Sequence, residues 1–237
     1  IGRDSLTALT SGARNLAIGY QSLYQADTID DSIAIGYQAM GGTDAGTNNK
    51  NIAIGNYALD HSLANSIHNV AIGYNALTKS SSGASNVAIG GSGAGGEITT
   101  AGRIVAIGDG ALGGAVQSQG NTGVGYATLY STTGEKNTAF GYQAGNTVTS
   151  GTENTVVGWD ADVTGSGAVN QTVIGSETIG QGDNSVTLGN SDVTAVLCAS
   201  DGEAQVYASA IRFPATQISN GNANALDDYE EGTYTPC

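Results

Sequence analysis

The sequence is poor in the residue types that mark several common classes of protein. It contains no run of about 18 apolar residues and no signal-peptide pattern, so we expect no membrane insertion. Lys and Arg number only 7 against 21 Asp and Glu, which gives a formal net charge of -14. Nucleic acid is therefore not an expected partner, because no basic stripe is available to displace counterions from phosphates.

Cysteine is almost as scarce. The chain has 2 cysteines, Cys198 and Cys237, and both lie near its C-terminal end. Two cysteines do not make a disulfide framework. A bond within the chain, a bond between subunits and two free thiols all remain open. Cys237 is a candidate covalent link to a neighbouring subunit if the protein matures outside the cell.

Glycine, in contrast, is abundant, and 12 of the 37 glycines recur at intervals of 14 to 19 residues. Most of them end a phrase of the form Asn-aliphatic-Ala-Ile-Gly. The repeat is too short for the helical repeat families, which need roughly 33 to 47 residues. The period therefore predicts a solenoid built from short strands and bends. The repeat glycines are Gly2, Gly19, Gly36, Gly55, Gly73, Gly90, Gly108, Gly125, Gly141, Gly158, Gly175 and Gly189.

The residues before each repeat glycine alternate as a β-strand does. Apolar or Thr side chains stand one and three places before the glycine, with a small residue between them, as in Val70-Ala71-Ile72. Side chains at alternate positions of a strand share a face. We expect the bulky residues to point into the coil and the alanines to face outward.

An outward column of alanines would let the backbone of another chain approach closely, so it is a candidate subunit interface. A plain solvated face with short side chains is the alternative, since scattered surface residues need no explanation. The alanine column consists of Ala17, Ala34, Ala53, Ala71, Ala88 and Ala106.

These patterns predict an all-β fold, a parallel β-solenoid of about 11 coils with a period near 17 residues. The period breaks after Gly189, so we divide the chain into a repeat shaft, residues 1–189, and a small β-rich C-terminal cap or neck, residues 190–237. Coils about 4.8 Å apart would make a shaft of roughly 50 Å. The chain begins inside a coil, at Ile1-Gly2, so we expect either a longer parent polypeptide or a subunit stacked at this edge.

Two polar columns precede the strands. Asparagine opens the phrase in seven repeats, where its amide can bond the backbone at a bend and pair with its equivalents in the coils above and below. We expect this column to be structural. The residue before it is often charged, and the first three members alternate in sign, which avoids stacking like charges. This charged column contains Arg14, Asp31, Lys50, His68, Ser85, Arg103, Gly120, Lys136 and Glu153.

An interrupted column of aromatic residues directly follows the repeat glycines. Such a column could pack a subunit interface or stack against sugar rings, and we favour packing, because aromatic residues anchor buried protein contacts. Interruptions such as Asn56, Gly91 and Asp109 leave no continuous track for a glycan. The column consists of Tyr20, Tyr37, Tyr74, Tyr126, Tyr142 and Trp159.

Several chemical motifs occur without the context that they need. The glycine-rich segment 91–96 formally fits a dinucleotide-binding pattern but lies inside a solenoid repeat, with no following helix. His61 and His68 have no further ligand at metal spacing. Acidic pairs such as Asp160 and Asp162 are common in so acidic a chain. We therefore predict no catalytic residue, no metal site and no cofactor.

Two resemblances bear on identity. The phrases at 69–73 and 86–90 resemble the head repeats of trimeric autotransporter adhesins, which implies a parallel β-roll in which three chains associate, although the family repeats are usually shorter. Similar repeats occur in phage tail fibres. The segments 212–217 and 226–236, which include Asp-Asp-Tyr-Glu-Glu-Gly-Thr, resemble a junction of phage tail-fibre and related virion proteins. In that family the junction leads into a further β-rich domain.

These resemblances imply a non-enzymatic structural rod. We expect a homotrimeric shaft segment of a phage tail fibre or related virion protein, located in the virion tail, that presents a receptor-binding tip and could reach a cell-surface glycan through the complete fibre. The alternative is a self-stacking subunit of an extracellular filament or bacterial surface adhesin. A third possibility, a glycan depolymerase, would need two facing carboxylates in a groove.

Overall fold

The fold is seen in a computed structural model that describes residues 1–25, 28–42, 49–61, 66–115 and 117–196. These residues form short β-strands joined by bends, and no α-helix occurs among them. Each strand has three residues and ends directly before a repeat glycine. The strands are β1 (Leu16–Ile18), β2 (Ile33–Ile35), β3 (Ile52–Ile54), β4 (Val70–Ile72), β5 (Val87–Ile89), β6 (Val105–Ile107), β7 (Thr122–Val124), β8 (Thr138–Phe140), β9 (Thr155–Val157), β10 (Thr172–Ile174) and β11 (Val186–Leu188).

All eleven strands belong to one parallel sheet, in which each strand pairs with the next along the chain. Equivalent residues of successive repeats lie opposite each other, as Ala53 lies opposite Ala71 and Ile54 opposite Ile72. The chain thus forms a parallel β-solenoid of about nine turns with a period of about 17 residues. The predicted all-β solenoid and its period are confirmed. The predicted number of coils, about 11, equals the number of strands and exceeds the number of turns.

Hydrogen bonds between coils continue beyond the strands. The amide of Gln38 donates to the carbonyl of Tyr20 at 2.9 Å, and the amide of Leu23 donates to Ala39 at 3.1 Å. Because strands and bends both bond to the next coil, the backbone groups of a coil are satisfied largely by its neighbours. These additional hydrogen bonds explain how strands of only three residues can form a stable sheet of eleven strands.

The repeat glycines are required by close contact between coils. At Gly73 the backbone φ is +125°, and a Cβ atom there would lie 2.0 Å from the carbonyl oxygen of Gly90. A side chain would therefore collide with the next coil and strain the backbone as well. The same contact recurs from coil to coil, which is why the sequence period is a glycine period.

The middle residue of each strand points into the coil, so the predicted orientation of the strands is wrong. The side chains of Ala34, Ala53 and Ala71 are fully buried in their own chain, whereas the aliphatic residues on either side are half-buried or exposed. The coil is thin, and the opposite side of its core holds a column of larger residues, so only a small side chain fits in the strand. The same holds for the whole predicted interface column, Ala17, Ala34, Ala53, Ala71, Ala88 and Ala106.

The alanine column therefore does not form an outward face, and its members are not in a position to contact another chain. The opposite wall of the core is made by buried residues four places after the glycine, as the Ala-Leu pairs of the sequence suggest. These residues are Leu23, Met40, Leu59, Leu77, Leu112 and Leu129.

The solenoid belongs to a compact unit that spans Ile1–Thr194. The predicted C-terminal cap, residues 190–237, lies almost wholly outside the described residues, as do Cys198 and Cys237. The boundary after residue 189, the cap and the association of three chains remain predictions.

Candidate functional site

The outward face of the sheet carries two columns of side chains, which we call the outer stripe. One column lies three places before each repeat glycine and the other lies one place before it. Ile54 and Ile89 each expose 37% of their surface, and Phe140 exposes 43%. The second column is apolar throughout and consists of Ile18, Ile35, Ile54, Ile72, Ile89, Ile107, Val124, Phe140, Val157, Ile174 and Leu188.

The outer stripe is large for an exposed apolar surface. With ten steps of about 4.8 Å it is roughly 50 Å long, and at a width of about 10 Å it covers roughly 500 Å². The largest apolar patch on a typical monomer is about 300–600 Å² and often serves a function. The stripe is thus large enough to form the apolar centre of an interface that buries about 800 Å² per partner.

The stripe changes in polarity along the solenoid. Its first column is aliphatic from Leu16 to Val105, whereas β7 to β10 place threonine at this position. The four threonines are Thr122, Thr138, Thr155 and Thr172. The first six strands therefore have two apolar columns, and the next four have one apolar column beside a row of hydroxyl groups.

The predicted aromatic residues form two separate stacks beside the sheet. Tyr20 and Tyr37 are stacked, with ring centroids 5.3 Å apart and planes at 15°. In the second group, Tyr126 stacks on Tyr142 at 5.2 Å, and Tyr142 stacks on Trp159 at 5.9 Å. The two groups are separated by Gly91 and Asp109, so the predicted interruption is present here.

The first stack contains a residue that sequence reasoning missed. Tyr57 makes edge contacts with Tyr37 at 5.3 Å and with Tyr74 at 6.1 Å. It lies directly after Asn56, and its ring closes the interruption that Asn56 makes in the aromatic column. Desolvation raises the pKa of the Tyr57 hydroxyl, and the neighbouring Tyr37 adds to this effect.

The stacking of the rings bears on whether the aromatic column packs against another subunit or against sugar rings. A stacked ring shares a face with its neighbour, so fewer faces remain for a sugar, while the outer edges of the rings stay exposed. Tyr74, Tyr126 and Trp159 expose 54%, 50% and 50% of their surface. Subunit packing therefore remains the favoured prediction for these side chains.

The asparagine column is a buried hydrogen-bonded ladder, as predicted. The amide of Asn69 donates to Oδ1 of Asn51 at 2.8 Å, and the amide of Asn86 donates to Oδ1 of Asn69 at 2.9 Å. Each Asn also donates from Nδ2 to a carbonyl within its own coil, such as Asn137 to Gly151 at 2.8 Å. The ladder is interrupted at the buried Ile104, whose amide still bonds to Asn86.

The charged column lies on the surface directly before this ladder. Its residues all adopt left-handed backbone angles, with φ of 62° at Arg14 and 61° at Arg103. Oppositely charged members on adjacent coils pair: Arg14 bonds Asp31 through two nitrogens, and Lys136 bonds Glu153 at 3.1 Å. The hydrogen bond from Arg14 lowers the pKa of Asp31.

Two partly buried carboxylates, of Asp162 and of Asp60, are engaged in the fold. Both carboxylate oxygens of Asp162 accept backbone amides, from Thr147 and from Val163, at 2.8 Å. Desolvation raises the pKa of Asp162 and of Asp60, whose neighbour His61 lies 3.8 Å away. Among the described residues, no group of three His, Cys, Asp or Glu side chains could hold a metal ion.

Comparisons with protein-family models, with curated proteins and with solved structures gave no match to this chain. No helix in the described part of the chain is long and apolar enough to cross a membrane.

Proposed function

We propose that this protein is a non-enzymatic structural rod, a shaft segment of a phage tail fibre or related fibrous virion protein that presents a receptor-binding tip. The observation that carries the proposal is the outer stripe. A sheet of eleven strands leaves one face with two columns of half-buried or exposed side chains, and most of them are apolar. Such a face is stable in water chiefly when another surface covers it.

The partner that suits this face is a second copy of the chain. The columns repeat at the coil spacing, so a copy in the same orientation matches the stripe step for step over roughly 50 Å. A closed trimer gives every copy the same contacts. The exposed edges of the aromatic rings beside the stripe are suited to widen this interface, because aromatic side chains are common in the buried centres of protein interfaces.

A rod of this kind works mechanically. Each coil is bonded to its neighbours through strands and bends, so bending or local opening breaks several backbone hydrogen bonds at once. Association through the stripe couples the coils of three chains. The result is a stiff spacer that resists proteolysis, and it needs no catalytic residue.

A self-stacking filament subunit is the second candidate. Successive coils bond through their strands and bends in the same way along the solenoid, so the same bonds can join one subunit to the next. In this case subunits join end to end, and the outer stripe plays a smaller part.

The test is the native mass of the purified chain, measured with and without reductant, together with that of the variant Ile54→Lys/Ile89→Lys. We expect a discrete trimer for the wild type and a monomer for the variant, because two buried ammonium groups per chain would oppose association. Gln117→Lys adds a charge at an exposed bend and serves as the control, with an unchanged trimer.

Other results would lead to different conclusions. A monomeric wild type at tens of micromolar would contradict the self-associating rod. Open-ended polymers that shorten in reductant would support the filament and a role for Cys237. A trimer that survives both lysines would place the interface away from the outer stripe.

A further inference from the structure

The charged column contains a long stretch without acidic residues, which is unusual in so acidic a chain. From Lys50 to Lys136 the column runs through six successive coils, and every member is basic or uncharged: Lys50, His68, Ser85, Arg103, Gly120 and Lys136. All six are exposed and share the same left-handed backbone angle. Their side chains therefore line one edge of the solenoid at the coil spacing of about 4.8 Å.

Arg103 lies near the middle of this stretch, and its neighbours in the column are small. Ser85 precedes it and Gly120 follows it, so no long side chain covers the groove between these coils. A surface depression of about 250 Å³ opens at this place. Elsewhere in the column long side chains such as those of Arg14 and Asp31 pair across the same groove.

The lining of the depression is polar and carries no acidic group. Beside Arg103 it includes the hydroxyl-bearing Ser82, Ser85 and Thr100 and the amide-bearing Gln119. Small residues, Ala84 and Gly102, form the rest of the lining. The guanidinium of Arg103 is thus surrounded by groups that can donate or accept hydrogen bonds.

Arg103, like Lys50, differs from the other lysines and arginines of the described ranges in its partners. Arg3, Arg14, Lys79 and Lys136 each form an ion pair with an aspartate or glutamate. Within the described ranges no such pair involves Arg103, although the chain has three times as many acidic as basic residues. Its guanidinium is therefore available to bind an anion with two parallel hydrogen bonds.

We propose that this depression, which we call the Arg103 site, binds the carboxylate of an acidic sugar within an anionic polysaccharide. Arg103 would bind the carboxylate, and the hydroxyl and amide side chains would bind the ring hydroxyls. A volume of about 250 Å³ is below the usual range for drug-sized ligands and suits one sugar ring. His68 and Lys136 each lie two coils away in the same column, about 10 Å, and can donate hydrogen bonds to neighbouring units of the polymer.

A sugar fits these observations better than a phosphate polymer does. The lining supplies one guanidinium and several neutral hydrogen-bonding groups rather than a dense row of cations. Tyr74 of the first stack and Tyr126 of the second directly follow a repeat glycine and so belong to another column. No aromatic residue lines the depression for bases to stack on. The proposal does not depend on how the rod associates with itself.

The experiment is calorimetric titration of the full chain with an oligogalacturonate of defined length, compared with the same oligosaccharide after its carboxyl groups are reduced to alcohols. Binding of the acidic form and none of the neutral form is expected. Arg103→Gln should weaken binding at least tenfold, because it removes the charge from a charge-assisted hydrogen-bonded pair. Glutamine is compatible with the left-handed backbone, since Gln21, Gln38 and Gln143 adopt it in this chain.

The matched control is Arg14→Gln, which removes the same side chain from the same column where it is already paired with Asp31. It should leave binding unchanged, and both variants should keep the wild-type circular dichroism spectrum. Equal binding by Arg103→Gln and wild type, equal weakening by the two variants, or equal binding of the neutral sugar would each overturn the proposal. Equally tight, Arg103-dependent binding of single-stranded DNA would overturn the assignment to sugars.

Discussion

Two kinds of coil fill the same thin core in opposite ways. In the coil after Gly73, the buried Leu77 is followed three residues later by the small Ser80. We call these two places the first and the second position of the coil. In the coil after Gly141, Gly145 takes the position of the leucine and the buried Val148 takes that of the serine. A Cβ atom on Gly145 would lie 2.8 Å from Cδ2 of Leu129, so the leucine of the coil before it already occupies this space.

The exchange is systematic along the solenoid. Large residues at the first position are followed by small ones, as with Leu112 and Ala115, whereas Gly95 is followed by Ile98. The strand contributes as well where the coil has no leucine at the first position and no glycine there either: the inner residue is Ala71 before Leu77, but the larger Val156 before Asp162. The repeat therefore conserves the volume of the core rather than the residue at any one position.

The largest effect is expected from emptying the first position. Leu77→Ala should lower the free energy of unfolding by about 2–5 kcal/mol, because the coil is too thin to collapse around the cavity. The midpoint of urea unfolding, measured for the wild type and the variant, checks this value.

The double variant Leu77→Ala/Ser80→Val sharpens the comparison, because it converts one kind of coil into the other. It should recover at least about half of the lost stability, since valine fills space from the second position. A double variant that recovers none of the stability lost in Leu77→Ala would show that the two kinds of coil are not interchangeable.

A smaller effect is expected at the second position alone. The buried hydroxyl of Ser80 has no hydrogen-bond partner among the described residues. Ser80→Ala should therefore raise the free energy of unfolding by about 1 kcal/mol, because a buried polar group without a partner is unfavourable. Thr132, in the same position of a later coil, bonds the carbonyl of Thr149 at 3.4 Å. Thr132→Val should lower stability, and a gain in both variants would contradict the explanation.

The smallest effect at neutral pH is expected at Asp162, which takes the first position in the coil after Gly158. Desolvation raises its pKa, so the folded state holds the proton more tightly than the unfolded state does. The resulting stability is complete below the unfolded pKa of about 3.9 and is lost as pH rises through the raised value. Asp162→Asn removes this titration but also one of the two acceptors for the amides of Thr147 and Val163.

The measurement is the free energy of unfolding of wild type and Asp162→Asn from pH 3 to pH 8. The advantage of the wild type over the variant should shrink as pH rises above about 4 and then level off. A constant difference across this range would mean that the carboxyl group keeps its ordinary pKa in the folded protein.

The solenoid and its period could be predicted from the sequence because glycine is a backbone requirement. A side chain at Gly73 meets the next coil whatever else the chain does, so the spacing of glycines records the spacing of coils. The asparagine ladder was predictable for the same reason, since a buried amide such as Asn69 must bond the next coil. Both signals are local and repeat with every turn.

The direction of the strand side chains was not predictable from the strand alone. A pattern such as Val70-Ala71-Ile72 alternates equally well with either face inward. The choice was made by the opposite wall of the coil, where Leu77 and its equivalents leave room for alanine only. The same is true of the Arg103 site, because the depression depends on small residues in the coils before and after it.

The sequence by itself therefore determined the coil, its period and the residues that bond one turn to the next. Only the tertiary structure decided which side of each strand faces the core, which apolar residues remain on the surface and where a charged residue lacks a partner. The physical reason is that backbone requirements act within one repeat, whereas the filling of a thin core and the pairing of surface charges depend on what adjacent coils place beside each residue.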